Sequence, residues 1–193
     1  MFFIAGVDEA GRGPLAGPVF AAAVILTPGF SIPGLTDSKL LTHSKRLKLR
    51  DIIMSKALDF SVAEASVAEI DDLNILQASL LAMQRALLKL KCAFQHVLVD
   101  GNQLPPILKL KQMQGESVID GDKIIPAISA ASILAKVARD ELMLELDKSY
   151  PEYSFAKHKG YGTKLHLEAL QKYGVSLIHR KSFAPVRACL IGV

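Results

Sequence analysis

Four aspartates of this sequence follow runs of apolar, strand-like residues. Asp8 and Asp100 each close such a run, and Asp120 and Asp122 follow a third. If these strands are neighbours, their ends bring the carboxylates to the sheet edge where open α/β folds bind ligands. Crowded carboxylates repel one another unless a cation lies between them, and Mg²⁺ and Mn²⁺ prefer oxygen ligands. The spacing therefore predicts a divalent-metal site, although aspartates at strand ends are also ordinary turn residues.

Glu9 directly follows Asp8, and a glycine-rich turn follows both. Consecutive residues of a regular strand point to opposite faces, so both carboxylates can serve one site only if the chain leaves the pleat. Gly11 and Gly13 permit this departure because glycine adopts backbone conformations that other residues avoid. Between them, Arg12 offers a guanidinium, and the turn offers backbone N–H groups, to a sugar–phosphate backbone.

Other kinds of active site lack candidates. Gly11-Arg12-Gly13 is too short for the G-x-G-x-x-G dinucleotide fingerprint, and the sequence has no G-x-x-x-x-G-K-[ST] or G-x-S-x-G motif. Cys92 and Cys189 show neither metal-site nor disulfide spacing. Nucleotide cofactors and covalent catalysis are therefore not indicated.

The order of the predicted elements is typical of an α/β layer fold with a mixed sheet. Strands are predicted at residues 2–7, 19–26, 60–67 and 96–99, with a fifth ending at 117–119. Ser66 and Glu69 have the spacing of a helix capping box, ahead of one long helix whose apolar positions recur from Leu73 to Leu90. A second long helix is predicted over residues 129–149 and is ended by Pro151.

The composition is that of one folded domain with a small appendage. The chain has 193 residues, of which 50% are hydrophobic and 22% charged, and this is enough for a packed core. Its net charge of +4 is concentrated in residues 154–193, where Glu168 is the single acid. We predict a main domain at residues 1–150 and a basic extension at residues 151–193 packed on it. Clustered cations suit a polyanion, although a solvated surface is the plainer interpretation.

No segment indicates a membrane or a secretion route. The longest apolar run, residues 19–26, is far shorter than the roughly 18 to 20 residues of a membrane span. The apolar N-terminus lacks the basic start of a signal peptide. We expect a cytoplasmic protein.

Several segments resemble bacterial ribonuclease HII, the type 2 ribonuclease H. The matching motifs run in family order over nearly the whole chain: Asp8-Glu9-Ala10-Gly11-Arg12-Gly13-Pro14-Leu15-Ala16-Gly17-Pro18-Val19, Asp37-Ser38-Lys39, Val99-Asp100-Gly101-Asn102, Gly121-Asp122, Ile128-Ser129-Ala130-Ala131-Ser132-Ile133-Leu134-Ala135-Lys136-Val137, Arg139-Asp140 and His158-Lys159-Gly160-Tyr161-Gly162-Thr163. The resemblance implies a ribonuclease H fold, which is a five-stranded mixed sheet flanked by helices, with a C-terminal helical extension. It also implies an endonuclease that hydrolyses the RNA strand of RNA–DNA hybrids. Such an enzyme also cuts 5′ to a single ribonucleotide in duplex DNA and leaves a 5′-phosphate and a 3′-hydroxyl.

The resemblance further implies roles for individual residues. The family's catalytic, metal-binding carboxylates fall on Asp8, Glu9, Asp100 and Asp122, and two Mg²⁺ or Mn²⁺ ions are expected during catalysis. Asp122 is preferred to Asp120 because it holds the Gly-Asp position before the Ile-Ser-Ala-Ala-Ser motif, and a contribution from Asp120 stays open. The positions expected to bind substrate are Gly11, Arg12, Gly13, Lys39, Lys136 and Tyr161.

The expected partners are RNA–DNA hybrids and ribonucleotide-containing duplex DNA. We expect a monomer without a membrane or an obligate protein partner. Another nuclease of the same fold would share the clustered carboxylates but prefer branched or terminal DNA. A non-catalytic nucleic-acid-binding module would bind duplex without metal-dependent cleavage. The presence of all four carboxylates favours an active enzyme.

Overall fold

A five-stranded mixed sheet forms the centre of the fold. The structure, a computed structural model, describes residues 2–29, 32–35, 38 and 41–191. The strands are β1 Ile4–Ala10, β2 Val19–Ile25, β3 Asp59–Ala65, β4 His96–Asp100 and β5 Gln114–Val118, in the spatial order β3-β2-β1-β4-β5. β2 is antiparallel to β1 and β3, whereas β4 is parallel to β1 and β5. The strands β1, β4 and β5 therefore end at the same edge.

Helices cover both faces of the sheet. They are α1 His43–Lys56, α2 Val67–Leu73, α3 Ile75–Lys89, α4 Pro106–Leu110, α5 Gly121–Ile124, α6 Pro126–Ser149, α7 Phe155–His158, α8 Lys164–Tyr173 and α9 Ala184–Ile191. On one face, Met83 of α3 packs in the same apolar cluster as Val7. On the other, Ile53 of α1 and Ile133 of α6 cluster with Val24. Every residue of β2 is buried, as expected for a strand covered on both faces. The predicted fold class is confirmed.

The single long helix predicted after the capping box is in fact two helices. The capping box itself forms, because the Ser66 hydroxyl accepts from the Glu69 N–H and the Glu69 carboxylate accepts from the Ser66 N–H. α2 then ends at Asn74, whose φ is 71° and whose side chain accepts hydrogen bonds from two N–H groups in the first turn of α3. Asparagine caps a new helix in this way, while the apolar spacing continues across the break.

Three helices of the described chain before α6, namely α1, α4 and the four-residue α5, lie where the sequence pattern predicts none. In α1 only Leu49 and Ile53 are buried. With so few buried apolar positions among basic residues, the sequence of α1 shows no clear amphipathic pattern. α4 has only five residues. The helix predicted over residues 129–149 begins earlier, at Pro126, because proline is favoured in a first turn. Among the described residues, no helix has both the length and the apolarity to cross a membrane.

The chain after α6 packs against the loop between β1 and β2. Leu15 shares an apolar cluster with Leu170 of α8 and Val186 of α9, and Ala16 forms a β-bridge with His179. His179 is fully buried, and burial lowers its pKa to about 4, so its imidazole is a neutral part of the core. The division of the chain at residue 150 stays a prediction.

Candidate active site

Three carboxylates converge at the shared edge of β1, β4 and β5. Asp8 lies on β1, Asp100 ends β4, and Asp122 lies in the short helix α5 that follows β5. Because Val7 and Val99 are paired in the parallel register, the aspartates that follow them lie side by side. One carboxylate oxygen from each of the three aspartates lies within 4.8 Å of the others. The cluster offers the oxygen donors that hard divalent cations prefer.

A sharp turn separates the two candidate aspartates after β5. Asp120 adopts a left-handed φ of 56°, and its carboxylate is 62% exposed and 2.7 Å from the Lys123 ammonium. Asp122 is only 3% exposed, and its backbone N–H donates to Asp100 Oδ1 at 3.2 Å. The turn therefore places Asp122, rather than Asp120, beside Asp8 and Asp100.

Glu9 reaches the same cleft without any break in the strand. The chain does not leave the pleat, because the β1 ladder continues through Glu9 and Ala10, and Glu9 is not one of the three carboxylates whose oxygen atoms converge. Asp8 faces α6, whereas Glu9 borders the α3 side of the sheet next to Met83. Both side chains still line one cleft because they lie at the strand end. Glu9 is held 3.4 Å from the Arg12 guanidinium.

The carboxylates destabilise one another's charge. Burial, reinforced by the charges of Glu9 and Asp100, raises the pKa of Asp8 well above its ordinary value, and a hydrogen bond from Ser132 only partly opposes this. Burial also raises the pKa of Glu9, against the opposing effect of Arg12. Among the described residues, no lysine or arginine lies within ion-pair distance of Asp8 or Asp100. A bound cation would relieve this excess of negative charge.

The predicted substrate-binding residues form the other wall of the cleft. The cleft has a volume of about 220 Å³ and is lined on this side by Gly11, Arg12, Gly13, Lys136 and Tyr161. Tyr161 is 43% exposed, and the Lys136 ammonium lies 5.9 Å from the centre of its ring. The remaining predicted position, Lys39, lies outside the described residues.

Lys136 is less available to a ligand than its type suggests. Its ammonium is 2.6 Å from a carboxylate oxygen of Asp140, one helical turn along α6. Burial lowers the pKa of Lys136, although Asp140 opposes the shift. Lys136 therefore contributes a cation that is already partly neutralised.

Two serines of the cleft were not among the predicted site residues. The Ser38 and Ser132 hydroxyls lie 2.9 Å apart, both side chains are buried, and both line the cleft. Ser132 also hydrogen-bonds Asp8. Their positions in the Asp-Ser-Lys and Ile-Ser-Ala-Ala-Ser motifs were the available signal, but neither motif shows that two hydroxyls so distant in sequence meet.

Comparison with known proteins decides the family. A family model for ribonuclease HII matches residues 5–186. The chain belongs to the ribonuclease HII family. It is 59% identical over 184 residues to a ribonuclease HII of Desulfitobacterium hafniense, covering 95% of this chain and 69% of that protein. The crystal structure of ribonuclease H2 from Pyrococcus horikoshii superposes with a TM-score of 0.78 at 27% identity and covers 97% of both chains. Bst-RNase HIII in complex with Mn²⁺ shares the fold, with a TM-score of 0.74 at 16% identity, over 98% of this chain and 70% of that one.

Membership of the ribonuclease HII family defines the class of enzyme. The protein is a ribonuclease, a phosphodiester hydrolase with ribonuclease H endonuclease activity. Dependence on divalent metal is a property of the ribonuclease HII family, and the acidic cluster at the sheet edge agrees with it. The resemblance found in the sequence motifs is thereby confirmed.

Proposed function

We propose that this ribonuclease HII hydrolyses the RNA strand of RNA–DNA hybrids and cuts 5′ to single ribonucleotides in duplex DNA, leaving a 5′-phosphate and a 3′-hydroxyl. The observation that carries the proposal is one cleft with two unlike walls. One wall is the carboxylate cluster, and the other is the Gly11-Arg12-Gly13 turn with Tyr161. A phosphodiester beside the carboxylates would place its sugar against the turn.

We propose that the carboxylate wall binds a pair of divalent cations. Asp8, Asp100 and Asp122 supply oxygen atoms within 4.8 Å of one another, and we assign Glu9 as the fourth ligand. Burial, followed by the charges of Glu9 and Asp100, raises the pKa of Asp8, and a cation bound beside Asp8 would favour its ionised form. Bound Mg²⁺ or Mn²⁺ would activate the attacking water and stabilise charge on the leaving 3′-oxygen. The protein side chains would hold and orient the metal ions, and no side chain is required as a nucleophile.

The opposite wall has groups suited to recognising a ribonucleotide. Only the 2′-hydroxyl distinguishes a ribonucleotide from the deoxynucleotide with the same base, so a donor or acceptor must lie against the sugar. The backbone N–H groups of Arg12 and Gly13 donate to no described residue, and both residues line the cleft. Tyr161 stands beside Gly13, with its ring 3.6 Å from where a Cβ on that glycine would lie. We assign these groups to the 2′-hydroxyl and the adjacent sugar.

The basic extension, residues 151–193, is proposed to contact the phosphate backbone without reading bases. Lys157 and Lys181 are exposed, and Lys159 is half-buried. Not every cation of this segment is available, because Arg180 is fully buried. The proposed partner is nucleic acid alone, bound by a single copy of the chain.

The test is cleavage of end-labelled duplexes, with and without Mg²⁺ or Mn²⁺. The set comprises a DNA duplex with one ribonucleotide, an RNA–DNA hybrid, an all-DNA duplex and a branched DNA. We expect a metal-dependent cut immediately 5′ to the ribonucleotide, cuts along the RNA of the hybrid, and none in either DNA control. Cleavage of the hybrid without cleavage at the single ribonucleotide would overturn the proposed recognition. Preferential cleavage of branched DNA would overturn the proposed substrate class.

A further inference from the structure

Two arginines lie fully buried behind the substrate-binding wall. Arg139 belongs to α6, and Arg180 lies between α8 and α9. Both have a relative exposure of 0%. A bound nucleic-acid duplex cannot touch either side chain. Arg139 and Arg180 can therefore affect the reaction only through the residues that they contact.

The guanidinium of Arg180 donates hydrogen bonds to both ends of the turn. Its Nε donates to Gly17 O at 2.8 Å, and its Nη1 donates to Arg12 O at 3.0 Å. Its Nη2 donates to Gly11 O at 2.6 Å and to Pro18 O at 3.2 Å. Four carbonyl groups of the chain between β1 and β2 therefore point at one buried cation.

Arg139 joins this turn to the loop that carries Tyr161. Its Nη2 donates to Ala16 O at 3.1 Å, and its Nη1 donates to Lys159 O at 3.0 Å. Its guanidinium lies 5.9 Å from the centre of the Tyr161 ring. Gly11 packs directly on Arg139, since a Cβ at Gly11 would overlap its Nε and Cδ.

The two guanidinium groups have no carboxylate partner among the described residues. Asp140, next to Arg139 in sequence, is paired with Lys136 and Arg46 instead. A buried charge without a counter-ion is costly unless hydrogen bonds satisfy it. Here backbone carbonyls supply those bonds, so the two charges stabilise one particular conformation of the turn.

That conformation determines where the amide groups point. No cis peptide bond occurs among the described residues, and the C=O and N–H of a trans peptide point in opposite directions. Because the Gly11 and Arg12 carbonyls point inward to Arg180, the N–H groups of Arg12 and Gly13 point away from it. Those two residues line the cleft, so the same bonds that satisfy Arg180 present the two amides to a ligand.

We propose that Arg180 and Arg139 are positioning residues that hold the Gly11-to-Pro18 turn and the Tyr161 loop in the geometry that binds the ribonucleotide. This inference rests on the proposed function, because it assumes that the turn contacts the sugar and phosphate. Arg180 orients the amides of the turn. Arg139 fixes the distance between the turn and Tyr161.

The experiment compares Arg180→Lys with the wild type on the single-ribonucleotide duplex. Lysine keeps the positive charge but cannot donate to four carbonyls in a fixed planar array. We expect KM to rise about 30-fold, as for the loss of one or two hydrogen bonds to a charged group. We expect kcat to change less than about threefold, and Mn²⁺ affinity measured by calorimetry to stay unchanged, because the carboxylates are untouched.

The matched control is Arg85→Lys. Arg85 also donates to a backbone carbonyl, that of Glu64, and pairs with Glu69, but it does not line the cleft. We expect this variant to cleave like the wild type. A second readout is chemical rescue: adding millimolar guanidinium chloride to Arg180→Ala should lower KM, whereas sodium chloride at the same ionic strength should not.

The outcomes separate the two proposals. If the wild type does not cut at the ribonucleotide, the proposed function fails. If the wild type cuts and folded Arg180→Lys keeps its KM, or if Arg180→Lys loses Mn²⁺ affinity in step with activity, the positioning inference alone fails. If Arg180→Lys does not fold, Arg139→Lys replaces it, since that change removes the bond to Lys159 O. An unchanged KM in folded Arg139→Lys would likewise overturn the inference.

Discussion

Two groups of like charges, one partly and one fully buried, lie on opposite sides of one turn, and they differ in the partners that the fold gives them. The carboxylate cluster consists of Asp8, Asp100 and Asp122, with Glu9 lining the same cleft, and the guanidinium pair consists of Arg139 and Arg180. The guanidinium pair is satisfied within the fold, because its N–H groups donate hydrogen bonds to backbone carbonyls. In the carboxylate cluster, Asp8 accepts from the Glu9 N–H and Ser132, but burial and the charges of Glu9 and Asp100 still raise its pKa above the ordinary value.

This difference assigns ligand binding to the carboxylate cluster and positioning of the turn to the guanidinium pair. A buried charge that the fold satisfies stabilises the arrangement of its partners, whereas a buried charge that the fold leaves unsatisfied favours a ligand of opposite charge. The two groups do not neutralise each other, since none of the described ion pairs joins them. A bound cation would therefore compensate the buried charge of Asp8, and the guanidinium pair stabilises the turn beside it.

Removing one member of the carboxylate cluster should have the largest effect. Asp100→Asn keeps the size of the side chain and the acceptor for the Asp122 N–H, but it removes one of the converging charges. We expect cleavage of the single-ribonucleotide duplex to fall about 10³-fold or more, with an unchanged circular dichroism spectrum. Asp120→Asn is the control, because its carboxylate is exposed and paired with Lys123, and it should stay within about threefold of wild type. Near-normal cleavage by Asp100→Asn would remove Asp100 from the site.

The contact between the turn and the guanidinium pair should be the next most sensitive point. Gly11→Ala combines a backbone φ of +101° with an overlap between the new Cβ and Arg139. Gly174→Ala introduces comparable strain, with φ of +80°, but meets no atom within 4 Å. We expect urea denaturation to show a loss of about 3 kcal/mol for Gly11→Ala and about 1 kcal/mol for Gly174→Ala. KM should rise about 100-fold in Gly11→Ala only. Equal effects of the two substitutions would show that the packing on Arg139 is unimportant.

The sequence indicates the carboxylate cluster far better than the guanidinium pair. Asp8 and Asp100 follow recognisable strands, and parallel pairing then places them together without further information. Arg180 is counted in the sequence as one cation of a basic segment, and nothing near it indicates that it points inward. Its partners, Gly11 and Arg12, lie more than 160 residues away, so only the packing of the C-terminal helices on residues 15–18 reveals the contact.

The same reason explains the other differences between expectation and structure. The continuous β1 ladder past Glu9 depends on the register with β2, and the break at Asn74 depends on a side-chain cap within an unbroken apolar period. Local patterns identify which residues are apolar or charged. They do not determine whether a backbone group or a solvent molecule will satisfy each of them.

Lysines of the basic extension, two exposed and one half-buried, should affect duplex binding in a way that the buried arginines do not. Replacing Lys157, Lys159 and Lys181 by alanine should weaken binding about tenfold and reduce the slope of log affinity against log salt by about 2 to 3. The slope falls because binding with fewer phosphate contacts releases fewer counter-ions. The control with the same change of charge replaces Lys56, Lys109 and Lys148, which are exposed outside the basic extension. Arg180→Lys should leave the slope unchanged. A triple variant of the basic extension with the wild-type slope would contradict its proposed contact with the duplex.

The smallest expected effect concerns the stability of the metal-free protein. In EDTA at neutral pH, Asp100→Asn should melt roughly 2–4 °C above the wild type, because it removes repulsion among the carboxylates at a gain of about 1 kcal/mol. The pKa of Asp8 is raised in the folded state, so its ionised form is penalised there. Wild-type stability relative to the variant should therefore increase as the pH falls through that raised pKa, and the gap should narrow.

Adding Mn²⁺ should reverse the order of the two melting temperatures, since a ligand that binds only the folded state stabilises it. Calorimetric melting curves of both proteins, with and without Mn²⁺ and at neutral and acidic pH, measure each of these differences. If Asp100→Asn melts below the wild type in EDTA at neutral pH, the carboxylate cluster is not a site of stored repulsion. The contrast with the guanidinium pair would then have to rest on hydrogen bonding alone.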